Sequence, residues 1–289
     1  MMADIFLDPF THFEFMRRAL IACLALALGS GPVGVFLVLR RMSLVGDALS
    51  HAIMPGAAAG FLIAGLSLPA MSLGGFVAGL CVALLSGIVT RLTRQREDAS
   101  FAAFYLMSLA AGVLIVSMRG SNVDLMHVLF GTILAVDDLS LLLVAGIASV
   151  STLLFSLIYR PLVVECFDPG FLRSVHGRGS VYHMAFLVIV VLNLVAGFQA
   201  LGTLMAVGLM MLPAAASRFW AREVWSLGLL SIALAFLSGY AGLVISFRHN
   251  LPSGPAIVLF AGAIYVFSFV FGSNGGLIGA LLPRRHLQA

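Results

Sequence analysis

Nine apolar stretches, each about long enough to cross a bilayer as a helix, fill most of this 289-residue chain, at roughly 19–39, 44–64, 70–90, 100–118, 138–158, 184–199, 201–217, 225–246 and 255–281. About 20 such residues at 1.5 Å per residue span the ~30 Å hydrocarbon layer. Backbone polar groups have no water to bond there, so each stretch must satisfy its own as a helix. The expected fold is therefore an all-α polytopic membrane protein of about nine transmembrane helices. With 61% hydrophobic and 10% charged residues and a mean hydropathy of +1.11, nothing is left over for a soluble domain. Residues 19–289 read as a single transmembrane domain. Residues 1–18 mix Phe6, Phe10, Phe13 and Phe15 with acidic groups and His12, and read as an interfacial N-terminal segment.

The sixteen basic residues are all arginine and gather at span ends. Arg40-Arg41, the cluster Arg91, Arg94 and Arg96, the loop with Arg160, Arg173 and Arg178, then Arg218, Arg222 and Arg284-Arg285 fall on one side, which the positive-inside rule makes cytoplasmic. The N-terminus then lies outside and the C-terminus inside, with Arg17-Arg18 left on the outer side against the trend. Clusters of this kind meet anionic lipid headgroups, and no nucleic-acid partner is expected. A chain without lysine cannot supply a Walker A loop, so it cannot itself be a P-loop ATPase. Three cysteines without C-x-x-C spacing support neither a disulfide framework nor a zinc knuckle. No signal peptide is expected, since Asp4, Asp8 and Glu14 stand where a basic n-region would be. Membrane-embedded hydrolases are disfavoured too, as neither H-E-x-x-H nor G-x-S-x-G occurs.

Within the second span, Asp47 and His51 stand four residues apart, on one face of a helix. A carboxylate oxygen beside an imidazole nitrogen suits zinc, manganese or iron better than calcium or magnesium. The same spacing also fits a polar pair that caps the helix start or bonds to a neighbouring helix. Pro55-Gly56 follows at once and predicts a kink or break, and irregular backbone at membrane depth belongs in protein or beside a cavity. Because Arg40-Arg41 anchors the cytoplasmic end, a simple helix would put Asp47 nearer the cytoplasm than the midplane. Gly56/Gly60 and Gly75/Gly79 mark close helix contacts, in a compact bundle or between two copies.

Six separated stretches resemble, in order, the membrane permeases of the ABC-3 or zinc-uptake family, which serve ABC transporters of zinc, manganese and iron. They are Arg40-Arg41-Met42-Ser43 with Gly46-Asp47-Ala48-Leu49-Ser50-His51-Ala52; Val123-Asp124-Leu125-Met126 with Leu129-Phe130-Gly131 and Ile133-Leu134-Ala135-Val136; Phe167-Asp168-Pro169; Gly202-Thr203-Leu204; Leu212-Pro213-Ala214-Ala215; and Pro252-Ser253-Gly254-Pro255 with Ile257-Val258-Leu259. The resemblance implies a homodimeric, type II importer-like permease of the bacterial cytoplasmic membrane. It implies an external metal-binding protein that delivers the ion and a separate cytoplasmic ATPase that uses ATP. No cofactor would be bound permanently, the metal being cargo.

Carried over by position, Asp47 and His51 become metal contacts and Asp124 a third candidate. His127 and His249 have no such counterpart and read as packing or loop residues. Residues 159–183 form a cytoplasmic loop with a coupling helix at Phe167, Asp168, Pro169, Gly170, Phe171, Leu172 and Arg173. Asp168 before Pro169 has the form of an N-cap followed by proline at N1. Two other transport readings stay open, an ABC permease for a metal chelate and a secondary carrier independent of nucleotide. Among metals, affinity order puts zinc first without fixing which ion is delivered. Few ligands suit a carrier, because a closed four-ligand zinc site holds its ion by roughly 10 kcal/mol or more.

Overall fold

The computed structural model describes residues 9–65, 67–93, 96–118, 136–168, 171 and 179–278. Nine long helices and no strand are found among them: α1 Glu14–Leu39, α2 Ser43–Ala64, α3 Leu68–Leu92, α4 Glu97–Met118, α5 Asp138–Phe167, α6 Gly179–Leu201, α7 Thr203–Ser217, α8 Val224–His249 and α9 Ser253–Phe271. All but α4 and α7 carry an apolar stretch long enough to cross a membrane unaided. Every expected span is present.

The bounds differ at several ends; α6, for one, starts at Gly179 and takes in residues 179–183, read as cytoplasmic loop. α1 begins at Glu14, so part of the N-terminal segment is helical, and Phe13 and Phe15 pack on Phe247 near the end of α8. α9 stops at Phe271, where Gly272, Gly275 (φ +83°) and Gly276 end the helix ten residues early, at 271 against 281. α5 runs to Phe167 through Pro161, taking in residues read as loop. Its last turn carries Glu165, which meets a buried arginine.

Contacts between ends fix how the helices run. Arg18 near the start of α1 pairs with Asp138 at the start of α5 (3.1 Å) and with Glu14 (2.7 Å), which offsets the outer arginine. At the opposite end, Arg40 after α1 meets Glu165 of α5 and His183 of α6. α2 and α4 run parallel, with Tyr105 beside His51, Ser108 Oγ donating to the Ala52 carbonyl at 3.2 Å, and Pro55 against Gly112. These pairings agree with the alternation drawn from the arginines.

Among the seven helices long enough to span alone, α1 and α6 are the most enclosed, and their Phe36, Leu37, Phe186 and Leu194 share one core with Leu49 and Ile53 of α2. α2 lies across α3 at the distance only glycine permits. A Cβ on Gly56 or Gly60 would strike the backbone carbonyls of Gly74 and Ala70. That pair therefore serves the bundle within one chain.

The turn that launches α2 is built from three residues. Met42 N–H bonds the Leu37 carbonyl at 2.9 Å and Arg41 N–H the Val38 carbonyl at 3.2 Å, the two bonds of a Schellman ending. Arg41 takes the left-handed conformation there (φ 59°), where glycine is usual, and buried Met42 packs in the core with Leu37. Between α6 and α7 the single residue Gly202 (φ 83°) makes the reversal, a conformation other residues adopt only under strain.

Asp137 caps α5 by accepting the Ser140 N–H at 2.9 Å. Hydrogen bonds from Ser140 hold its carboxyl below the usual carboxylate range, with Arg18 adding a smaller pull. A depressed carboxyl stabilises the fold above the unfolded value and loses that contribution as pH falls through the folded one. Asp137→Ala should cost about 1 kcal/mol. Melting temperatures of the variant and the parent protein should converge only as pH falls through the folded-state value of Asp137, below the usual carboxylate range, which thermal unfolding in detergent checks.

Candidate metal-binding site

α2 touches α1, α3, α4, α6 and α7, and that packing leaves one face open. Val45, Ala48, Leu49, Ala52, Ile53 and Ala57 are buried. Leu44, Asp47, His51 and Met54, spaced three and four apart, follow the least covered side. The Asp47 side chain is 63% exposed and that of His51 35%. A carboxylate facing hydrocarbon would be costly, so in a bilayer this face belongs against a water-filled path or another protein surface.

His51 Nε2 lies 3.8 Å from Asp47 Oδ1. Two donors that bind one ion at about 2.1 Å each stand about 3.0–3.4 Å apart, so a small side-chain adjustment brings both onto one metal. The Tyr105 ring flanks the imidazole at 6.4 Å between centroids, tilted by 30°. Pro55 has no N–H to offer the His51 carbonyl, which loses its helical partner. α2 nevertheless continues unbroken from Ser43 to Ala64. At 1.5 Å per residue, Asp47 sits about 6 Å and His51 about 12 Å along the axis from its first residue. The predicted break is absent, and the pair lies in the half of α2 nearest the Arg40 end.

Among the described residues, no group of three or more His, Cys, Asp or Glu side chains is placed so as to hold a metal ion. This chain's described residues thus offer an ion two donors, leaving other positions to water or to groups beyond them. Asp124 and His127 lie outside the described residues. A two-donor site holds an ion loosely and releases it.

At the Arg40 end, Asp168 closes α5, and its Oδ1 accepts the Phe171 N–H at 2.9 Å, the i to i+3 bond of an N-cap. Phe167 and Phe171 are 67% and 55% exposed. Pro169, Gly170, Leu172 and Arg173 lie outside the described residues. Sequence reasoning missed two features here. Tyr105 reaches His51 only because α2 and α4 run parallel. Arg40, read as a lipid-facing anchor, is buried, and the signal was a carboxylate, Glu165, next to an apolar span.

The ABC 3 transport family profile matches residues 12–272. The chain belongs to that family. The manganese import system permease protein ScaB of Streptococcus parasanguinis is 34% identical over 264 residues, covering 91% of this chain and 93% of that one. The manganese transport system membrane protein MntC of Halalkalibacterium halodurans is 30% identical, covering 94% and 92%. Among solved structures, PsaBC from Streptococcus pneumoniae in complex with Fab superposes with a TM-score of 0.84 at 30% identity, covering 97% of this chain and 99% of that one. This ABC 3 member is an integral multi-pass membrane permease of an ABC metal importer and not an enzyme.

A ligand imidazole must be neutral, so metal binding competes with protons. Titration of Mn2+ into the solubilised protein tests the candidate pair, and His51→Ala should weaken binding about tenfold or more.

Proposed function

We propose that this ABC 3 permease carries manganese across the bacterial cytoplasmic membrane, with Asp47 and His51 as transient contacts of the ion in its path. The observation that carries this reading is the exposed carboxylate–imidazole pair, 3.8 Å apart, on the one open face of an otherwise packed helix. Manganese is favoured over zinc by the relatives, whose names are those of manganese systems. The chemistry agrees, because carboxylate, imidazole and water suit a harder ion, while no cysteine accompanies the pair. Asp124 is a candidate third donor.

Two copies of the chain form the pathway, and the open face of α2 lies along it. A periplasmic or cell-surface metal-binding protein loads the ion from outside. A cytoplasmic ATPase docks on the segment Phe167, Asp168, Pro169, Gly170, Phe171, Leu172 and Arg173, where the exposed rings of Phe167 and Phe171 offer an apolar knob. Its ATP cycle rocks the two permease copies between outward and inward openings.

Uptake by proteoliposomes containing the permease, its ATPase and its binding protein tests the assignment. ATP-dependent manganese uptake should fall at least tenfold with Asp47→Ala and with His51→Ala. Unimpaired uptake in both variants would overturn the site, and zinc accumulating in preference to manganese would overturn the choice of metal.

A further inference from the structure

Arg40 is the first residue of the turn between α1 and α2, and its side chain is only 8% exposed. Its guanidinium is held on every side. Nη2 lies 2.9 Å from Glu165 Oε2, whose side chain is 13% exposed. Nη1 donates to His183 Nδ1 at 2.9 Å, and Nε donates to Cys166 Sγ at 3.2 Å. The guanidinium carbon stands 4.8 Å above the centre of the buried Phe186 ring. Arginine can only donate, so Nδ1 of His183 is the accepting nitrogen.

This is more than a charge made safe. Glu165 and Cys166 occupy the last turn of α5, immediately before Phe167, where the proposed ATPase-docking segment begins. His183 lies in the first turns of α6, where the chain re-enters the bundle. Arg40 is joined through residues 41 and 42 to α2, which carries Asp47 and His51. One planar, rigid cation thus ties both flanks of the cytoplasmic connection to the root of the metal-bearing helix. A lysine could not reproduce that grip, since its ammonium is a point charge without the fork that serves three acceptors at once.

We propose that Arg40, gripped by Glu165 and His183, is a positioning residue that passes movement of the α5–α6 connection to the root of α2, coupling ATP use to movement of the metal. The inference rests on the docking role assigned above to the segment at Asp168 and Phe171. Buried ion pairs are poor evidence of net stabilisation, which makes a transmitting role the better account of this one.

The test compares Glu165→Gln and Arg40→Lys with the parent protein, each assembled with its ATPase in proteoliposomes. The readout is manganese transported per ATP hydrolysed. Both variants should hydrolyse ATP within about twofold of the parent rate and bind Mn2+ within about twofold, while metal moved per ATP falls at least fivefold. A lowered melting temperature with an unchanged ratio would reduce Arg40 to a structural pin and overturn the proposal. Failure of both variants to assemble in the membrane would do the same. Phe171→Ala separates the two readings. If that variant keeps a normal ATPase complex and normal uptake, the docking role itself fails; if it loses the complex while Glu165→Gln keeps the parent ratio, only the Arg40 inference fails.

Discussion

A helix enclosed on three sides can present chemistry only on the fourth, and α2 is such a helix. Lipid tails are as apolar as leucine side chains, so helices in a bilayer gain little from hiding apolar surface and depend on close contact instead. Gly56 and Gly60 provide that contact by letting α2 lie against the α3 backbone at Gly74 and Ala70. Gly112 gives Pro55 its place on the α4 side. The core through Leu49 and Ile53 closes the third side. Asp47 and His51 are left on the remaining face, where their orientation is set by packing that neither of them makes.

Loose ligation follows from the same arrangement. Under the proposed function, an ion at this face would meet one carboxylate and one imidazole from the described chain and complete its shell with water or with groups from elsewhere. A dedicated structural site would trap it, since closed zinc sites bind by about 10–16 kcal/mol. Manganese, which keeps water and oxygen ligands readily, tolerates partial coordination well. With Asp47 and His51 as the proposed contacts, their position near the Arg40 end would have the ion meet them late, on the way out to the cytoplasm.

Much of this was legible in the residues, and for identifiable reasons. Apolar runs of bilayer length declare helices whatever their packing, so all nine appeared with bounds set mainly by arginine and glycine. Asp47 and His51 stand out as a carboxylate and an imidazole four apart in an apolar run, but that spacing fits a capping pair as well, and it was the resemblance to the permease family that singled them out as candidate metal contacts. What escaped depended on contacts between distant segments. The last turn of α5 looked like loop because Glu165, Arg160 and Pro161 are polar or helix-breaking when read alone. Arg40, 125 residues away in sequence, supplies the partner that makes Glu165 affordable inside a helix. Pro55 was read as a kink or a break; α2 runs on without a break, with a glycine of α4 opposite the ring. The Gly56/Gly60 pair left open a contact between copies or within one, and only the position of Gly74 resolves that.

The central claim is that the imidazole of His51 touches the transported ion. Pulsed electron paramagnetic resonance of Mn2+ bound to the reconstituted permease tests it without reference to transport rates. The account predicts nitrogen hyperfine coupling from a metal-bound imidazole that disappears in His51→Ala. A spectrum showing only oxygen ligation in the parent protein, or nitrogen coupling that survives His51→Ala unchanged, would contradict it.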